Sequence, residues 1–422
     1  MEAVLSNRVF VATSLRHFCL AREDAQPGDV VFAALGAETP YLLRPRVRSW
    51  NRLILPKWQR GHIPHVKIKY FSTSKCLNVY AGTGGGHWRQ RELLLVRNKY
   101  LQDYPQLTMA SVHQIWSQMF PPAPKYTEKD YPDQKGKVFI VTGGYAKNAT
   151  VYIAGRSLSK GNEAIKLTLA TAPFSTGKLE FLLLDLADLS TIAKSAKEFL
   201  AKEKRLDVLW NNAGVMRPPA GSKTVQGYES QLGTNCLGPF LFTHLLRPLL
   251  VKTAASSPRD SVRVCWTSSL MAEAAVPKGV IDFEDINGEK GVSQRVLYSQ
   301  SKAGNIFLGW EFARRYGVEG VISVTLNPGN LRSPLQRYAS CLENTVNGIL
   351  LYPAIFGAYT ELFAGLSPDI ASASNGSYII PWGRIGYLKE NLAACLKEES
   401  EGGTGVAKRF FEWCENETRP FI

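Results

Sequence analysis

A chain of 422 residues is long enough for one large α/β domain with an extension, and 45% hydrophobic with 20% charged residues is the composition of a globular protein that buries a core. The formal charge of +14 is unevenly placed: residues 1–108 hold 16 Lys and Arg against 7 Asp and Glu, so +9 of it falls there. A surplus confined to one irregular segment, with no binding motif, argues against nucleic acid as the partner.

The seven cysteines, Cys19, Cys76, Cys236, Cys265, Cys341, Cys395 and Cys414, have neither the paired spacing of a zinc site nor the density of a disulfide scaffold. They read as reduced thiols, and no metal site is expected; the His62-x-x-His65 pair has no Cys or carboxylate at ligand spacing. The N-terminus lacks the layout of a secretory signal, and no uncharged apolar run reaches the roughly 20 residues that span a bilayer. The longest, Gly348 to Thr360, contains Pro353. A soluble, cytoplasmic protein is the expectation.

The chain divides near Met109. Residues 1–108 form a basic extension with few periodic windows, read as poorly ordered or fragmentary, and MASVHQIWSQMF at Met109 reads as a natural start for residues 109–422. A Pro-rich lead follows. Then come short apolar runs that predict strands over 138–142, 150–154, 179–185, 206–211, 262–268 and 321–327, separated mostly by helix-length amphipathic segments. Near-continuous apolar strands alternating with helices predict a doubly wound, Rossmann-like parallel sheet, whose ligands sit at the strands' carboxyl ends.

Tyr298 and Lys302, in YSQSK, stand four residues apart and so share one face of a helix. A free phenol titrates near pH 10, and an ammonium beside it favours the phenolate, so Lys302 is placed to tune Tyr298 for proton transfer. Ser268 and Ser269 close one predicted strand and NNAG (Asn211 to Gly214) another. Asn235 follows in GTNCLGPF, and Pro328 and Gly329 come after the last strand.

Order and spacing of YSQSK, NNAG and DLADL resemble the short-chain dehydrogenase/reductase family over residues 110–420, and the stretch after Pro328 resembles its retinol-dehydrogenase-like branch. The resemblance implies a catalytic tetrad of Asn235, Ser269, Tyr298 and Lys302, with Ser268 as the alternative serine. It implies that Tyr298 exchanges a proton with the substrate oxygen while Ser269 orients it, that Lys302 also holds the nicotinamide ribose, and that Asn235 anchors a relay water. Thr142, Gly143, Asp185, Asn212, Ala213, Gly214, Pro328 and Gly329 would line the cofactor. Arg156 would receive a ribose 2′-phosphate, which favours NADP over NAD. The partner implied is a small molecule; the apolar stretch 331–365 suits a lipophilic substrate, the core or a homo-oligomer interface equally.

Two features depart from that pattern. The family's TGxxxGxG turn and its helix present backbone amides to the cofactor pyrophosphate, but here VFIVTGGY runs into AKNATVYIA, with seven residues (Gly143 to Ala149) between Thr142 and Thr150. A parallel crossover takes at least about 10 to 12 residues. The first βαβ unit is therefore read as defective, by about a dozen residues missing, with an antiparallel hairpin at GGYAKN as the alternative. The glycine clusters at 81–88 and 400–405 do not supply the turn and read as flexible loops. Residues 21–45 resemble the end of a heterokaryon-incompatibility domain, which suggests a neighbouring gene's tail fused to an oxidoreductase. The functional expectation is alcohol–carbonyl interconversion with NAD(P); the alternative is an inactive product of an incomplete or fused gene, acting as an interaction protein.

Overall fold

A computed structural model describes residues 114–141, 148–171, 175–333 and 351–422 in full and, before residue 114, only short backbone elements. The chain separates into two compact units, Met1–His113 and Gln114–Ile422. In the first, three antiparallel pairs are described: β1 (Arg8–Ala12) with β2 (Phe18–Arg22), β3 (Val30–Phe32) with β4 (Tyr41–Leu43), and β5 (Val66–Lys67) with β6 (Tyr80–Ala81). The side chains behind the heterokaryon-incompatibility resemblance, the His62/His65 pair and the 81–88 glycine cluster lie outside the described residues.

The second unit is built on one eight-stranded sheet. Its strands are β7 (Val138–Val141), β8 (Thr150–Gly155), β9 (Lys178–Leu183), β10 (Val208–Asn211), β11 (Arg263–Thr267), β12 (Ile322–Leu326), β13 (Tyr378–Ile380) and β14 (Arg384–Gly386). Their order is β14-β13-β12-β11-β10-β7-β8-β9, and every neighbouring pair is parallel except β13 with β14. From β7 the chain moves outward to β9, then returns to lay β10 on the other side of β7. This makes the carboxyl ends of β7 and β10 the topological switch point where a doubly wound sheet takes its ligand.

Six strands fall where the apolar runs predict them. The terminal pair β13–β14 was not anticipated: three-residue strands, YII and RIG, are too short to show a period. The hairpin alternative at GGYAKN is overturned, because β7 and β8 pair in parallel from Val138↔Thr150 to Val141↔Ile153. Only positions 142–149 connect them. Thr142 and Gly143, expected to hold the cofactor, lie outside the described residues.

Side chains alternate across the sheet with the strand's period of two. Val138, Ile140, Tyr152, Leu209 and Val264 face α3 (Leu189–Lys202), α4 (Gly238–Ala255) and α5 (Gln294–Tyr316). Phe139, Val141, Val151, Trp210 and Val324 face the opposite layer, with Phe363 and Ala364 of α6 (Ala354–Leu366). The Pro-rich lead closes that layer: Tyr126 and Tyr131 are buried there, Tyr126 edge-on to Phe363 with ring centroids 6.0 Å apart. Helix α2 (Leu158–Thr171) crosses from β8 to β9, while α7 (Glu390–Leu396) and α8 (Val406–Thr418) complete the layer beside α5. The 400–405 glycines cap these last elements, with Gly402 and Gly405 at positive φ, rather than forming a flexible loop.

Local caps set where the site helices begin. Asp188 accepts from Ser190 N at 3.1 Å to start α3, and Ser293 caps α5 by accepting from Val296 N. Helix α5 is buried on nearly all sides between residues 297 and 309, where the small residues Ser301, Ala303 and Gly304 fall. At Gly304 a Cβ would stand 2.7 Å from the Phe410 ring.

Tight packing under β10 gives a first prediction. Trp210 is 3% exposed, lies edge-on to Phe139 and donates from Nε1 to Glu361 O at 2.9 Å. A Cβ at Gly365 would lie 2.0 Å from its Cζ2. Gly365→Ala is expected to lower stability by about 1–3 kcal/mol, the usual range for overpacking a core. Urea unfolding would show it as a lower midpoint at unchanged slope; an unchanged midpoint would mean that Trp210 moves freely.

Candidate active site

A cavity of about 910 Å³ opens at the carboxyl ends of β10, β11 and β12. Asn212, Ala213 and Gly214 after β10, Ser268 and Ser269 after β11, Pro328 and Gly329 after β12, and Tyr298 and Lys302 from α5 all line it. Residues distant in sequence meet because each strand points the same way and ends at this rim.

Each group is held in place. Lys302 Nζ donates to Thr267 O at 2.8 Å, and Asn305, one residue short of a turn further along α5, donates to the same carbonyl at 2.9 Å. Ser268 is turned inward, its hydroxyl donating to Lys302 O at 2.7 Å. Burial raises the Tyr298 phenol and Ser269 pulls it down, while the Ser269 oxygen accepts from Met271 N at 3.2 Å. The two serines thus have different partners.

Asn235 stands just behind the wall, in a π-helical turn, Gly233–Leu237, a wide turn often found where a helix must offer a side chain to a site. Its Nδ2 donates to Val215 O and to Ser301 Oγ, both at 3.0 Å, and its Oδ1 accepts from Val215 N at 2.8 Å. The side chain therefore staples the NNAGV loop to α5. Gly214 is required by that staple: a Cβ would stand 2.9 Å from Asn235 Oδ1 and 3.5 Å from Lys302 Nζ.

The other side of the rim is braced from a distant element. Gln118, in the second half of α1 (Met109–Met119), donates to Glu273 Oε1 and accepts from Asn327 Nδ2, each at 2.9 Å. Asn327 in turn accepts from Gly329 N at 3.0 Å. Gly329 has φ +94°, and the Trp382 ring occupies the space a Cβ would need. Burial pushes Glu273 up to about 7, with the Gln118 amide pulling against that rise.

Burial raises the Tyr298 phenol to about 12, and Ser269 and Arg217 pull it down. Burial lowers Lys302 to about 8, opposed by Cys236 and Glu361. The Lys302 nitrogen lies 5.9 Å from the centre of the Tyr298 ring.

Two wall residues were missed in the sequence. Arg217, three residues past Gly214, has φ +47°, a conformation uncommon outside glycine that tends to mark functional strain. Glu361 lies inside an otherwise apolar helix, and an acid in such a run was the available signal. Arg156 and Asp185 are not on the cavity wall. They end β8 and β9 on the far side of β7; Arg156 is exposed, and Asp185 accepts from Ala187 N at 2.9 Å.

Among the described residues, Cys236, Cys265, Cys395 and Cys414 are free and buried. No described group of His, Cys, Asp and Glu is arranged to hold a metal, and no described helix is long and apolar enough to cross a membrane.

A doubly wound parallel sheet with a cavity at its strands' carboxyl ends is the architecture of the dinucleotide-binding folds. A family profile described as short chain dehydrogenase matches residues 139–281. The chain is 46% identical to a short-chain dehydrogenase/reductase of Phomopsis amygdali over 74% of this chain and 98% of that one. It is 44% identical to the short-chain dehydrogenase/reductase pkfC of Emericella nidulans over 71% and 98% respectively. The NADPH-bound carbonyl reductase from chicken fatty liver, a solved structure, is 18% identical and covers 64% of this chain and 100% of its own at a TM-score of 0.46. The chain belongs to the short-chain dehydrogenase/reductase family, and its cofactor is a nicotinamide dinucleotide.

Proposed function

We propose that this protein interconverts a carbonyl and an alcohol on a lipophilic small molecule, with Ser269, Tyr298, Lys302 and Asn235 as its working tetrad. What carries the reading is that Ser269, Tyr298 and Lys302 line one cavity with Asn235 stapled directly behind it. A bound nicotinamide supplies or takes up hydride at its C4. In reduction Tyr298 gives its phenolic proton to the substrate oxygen; in oxidation it takes one back. Ser269 fixes that oxygen, and the Lys302 ammonium holds the ribose and favours the phenolate. Asn235 keeps the NNAGV loop in register beneath the cofactor.

The apolar wall supports a ketone or secondary alcohol: Met216, Met271, Leu331, Leu351 and Ile355 surround the space in front of Tyr298. NADPH or NADH titrated into the purified chain and followed by nicotinamide fluorescence tests the reading, and no binding at millimolar cofactor would reject it. A second reading, an inactive scaffold, is favoured by one observation, the eight-position link 142–149 in place of a full crossover. Cofactor binding without turnover on any ketone would support that reading instead.

Preference for NADPH follows from Arg156, exposed at the carboxyl end of β8, beside the switch-point strand. A charge-assisted hydrogen bond contributes about 1.5–3 kcal/mol. Arg156→Ala is therefore expected to weaken NADPH binding by about tenfold or more and to leave NADH within about twofold. An equal loss for both cofactors would remove Arg156 from phosphate recognition.

A further inference from the structure

Glu361 projects from α6 into the active-site cavity, and the backbone around it leaves its side chain little freedom. Trp210 Nε1 holds the Glu361 carbonyl at 2.9 Å, and the Thr267 hydroxyl donates to Glu361 Oε1 at 2.9 Å. The remaining oxygen, Oε2, is sealed from solvent and has no hydrogen-bond partner among the described residues. Thr267 is also the residue whose carbonyl receives Lys302 Nζ at 2.8 Å. One residue at the end of β11 thus positions an ammonium with its backbone and a carboxyl group with its side chain.

We propose that Glu361 is a positioning residue that sets the charge state of Lys302, and through it the proton affinity of Tyr298. The proposal rests on the reading of Tyr298 and Lys302 as acid–base and cofactor-holding groups. A buried, otherwise unpaired carboxylate on the cavity wall is an expensive feature to keep unless a cation balances it. The cation within its field is Lys302, whose nitrogen has no carboxylate within 4 Å among the described residues and is bound instead to a neutral carbonyl.

The signs follow from the groups that face this pair. Burial raises the Glu361 carboxyl, while Thr267 and Lys302 hold it down; burial lowers Lys302, while Cys236, from the π-helical turn, and Glu361 hold it up. Cys265 on β11 also feels Glu361, burial keeping its thiol protonated, and Arg217 acts on Tyr298 from the loop after β10. With Cys236 and Cys265 neutral thiols, Glu361 is the charged carboxylate acting on Lys302. Its removal therefore lowers the pH at which Lys302 loses its proton.

Competitive acetylation of lysines, quantified by mass spectrometry across neutral and alkaline pH, reads the Lys302 midpoint without requiring turnover. In Glu361→Gln the midpoint is expected to fall by about one pH unit, the usual effect of one nearby opposite charge. Thr267→Val, which releases the Glu361 carboxyl, is expected to shift it the same way by a smaller amount. In the active enzyme the alkaline limb of kcat should move down in step, with the cofactor KM little changed. A Lys302 midpoint that is the same in wild type and in a folded Glu361→Gln variant overturns the inference. A wild type with no turnover but a shifted midpoint in the variant would defeat the hydride-transfer reading and leave the Glu361–Lys302 linkage standing.

Discussion

Replacing Tyr298 by Phe is expected to lower kcat by about 10²–10⁴-fold, the range for loss of a positioned general acid or base, while cofactor affinity stays within about twofold. Tyr298 lines the same cavity as Ser269 and is 4% exposed, so in the proposed reaction bulk water does not substitute for its phenol. Phe keeps the ring's packing against α5 and the wall, which separates loss of chemistry from loss of fold. The environment also predicts a direction. With its pKa pushed up to about 12, Tyr298 is a neutral phenol across neutral pH, ready to donate a proton in carbonyl reduction. Alcohol oxidation needs the phenolate, so its rate should climb with pH as Tyr298 ionises, until Lys302, lowered to about 8, gives up the charge that favours that ionisation. Steady-state assays in both directions check this: a Tyr298→Phe enzyme that retains a tenth or more of the wild-type kcat would remove Tyr298 from proton transfer.

How much of this was legible beforehand depends on which interactions are local. Tyr298 and Lys302 were readable because a four-residue helical spacing carries a contact directly, and six strands were readable because burial on both faces leaves continuous apolar runs. What stayed hidden depends on the third dimension. The different surroundings of Ser268 and Ser269 depend on α5: the Ser268 hydroxyl is taken by the Lys302 carbonyl, and nothing in the adjacent letters foretells that contact. Arg217 and Glu361 reach the site only because β10 and α6 end at the same rim, more than fifty residues from Tyr298 in either direction. Gln118 is more remote still, bracing Asn327 from a helix that the sequence offered only as a start point. The Pro-rich lead, which shows no strand or helix period, likewise gave no sign that Tyr126 and Tyr131 are core residues.

The link between β7 and β8 carries the other large prediction. Five later parallel crossovers, β8 to β9, β9 to β10, β10 to β11, β11 to β12 and β12 to β13, each include a helix, and the first has only positions 142–149. Because Val141 lies level with Ile153, those positions must step sideways one strand and return roughly 10 Å to Thr150, at about 3.3 Å per residue. Little length remains for a helix whose amino-terminal amides would face the pyrophosphate at the switch point. Each charge-assisted hydrogen bond from such amides contributes about 1.5–3 kcal/mol, and the helix dipole about 0.3–1 kcal/mol more. Inserting about a dozen residues after Tyr145, with two further glycines and an amphipathic helix, should therefore tighten NADPH binding by about 30- to 100-fold, roughly 2–3 kcal/mol. An insert of equal length made of Gly and Ser separates the causes: it adds reach without an organised helix end, and should gain less than about threefold. Calorimetric titration of the three proteins decides the matter, because equal affinities would show that the short link already holds the pyrophosphate, and that Gly143 and Gly144 suffice where a full turn was expected.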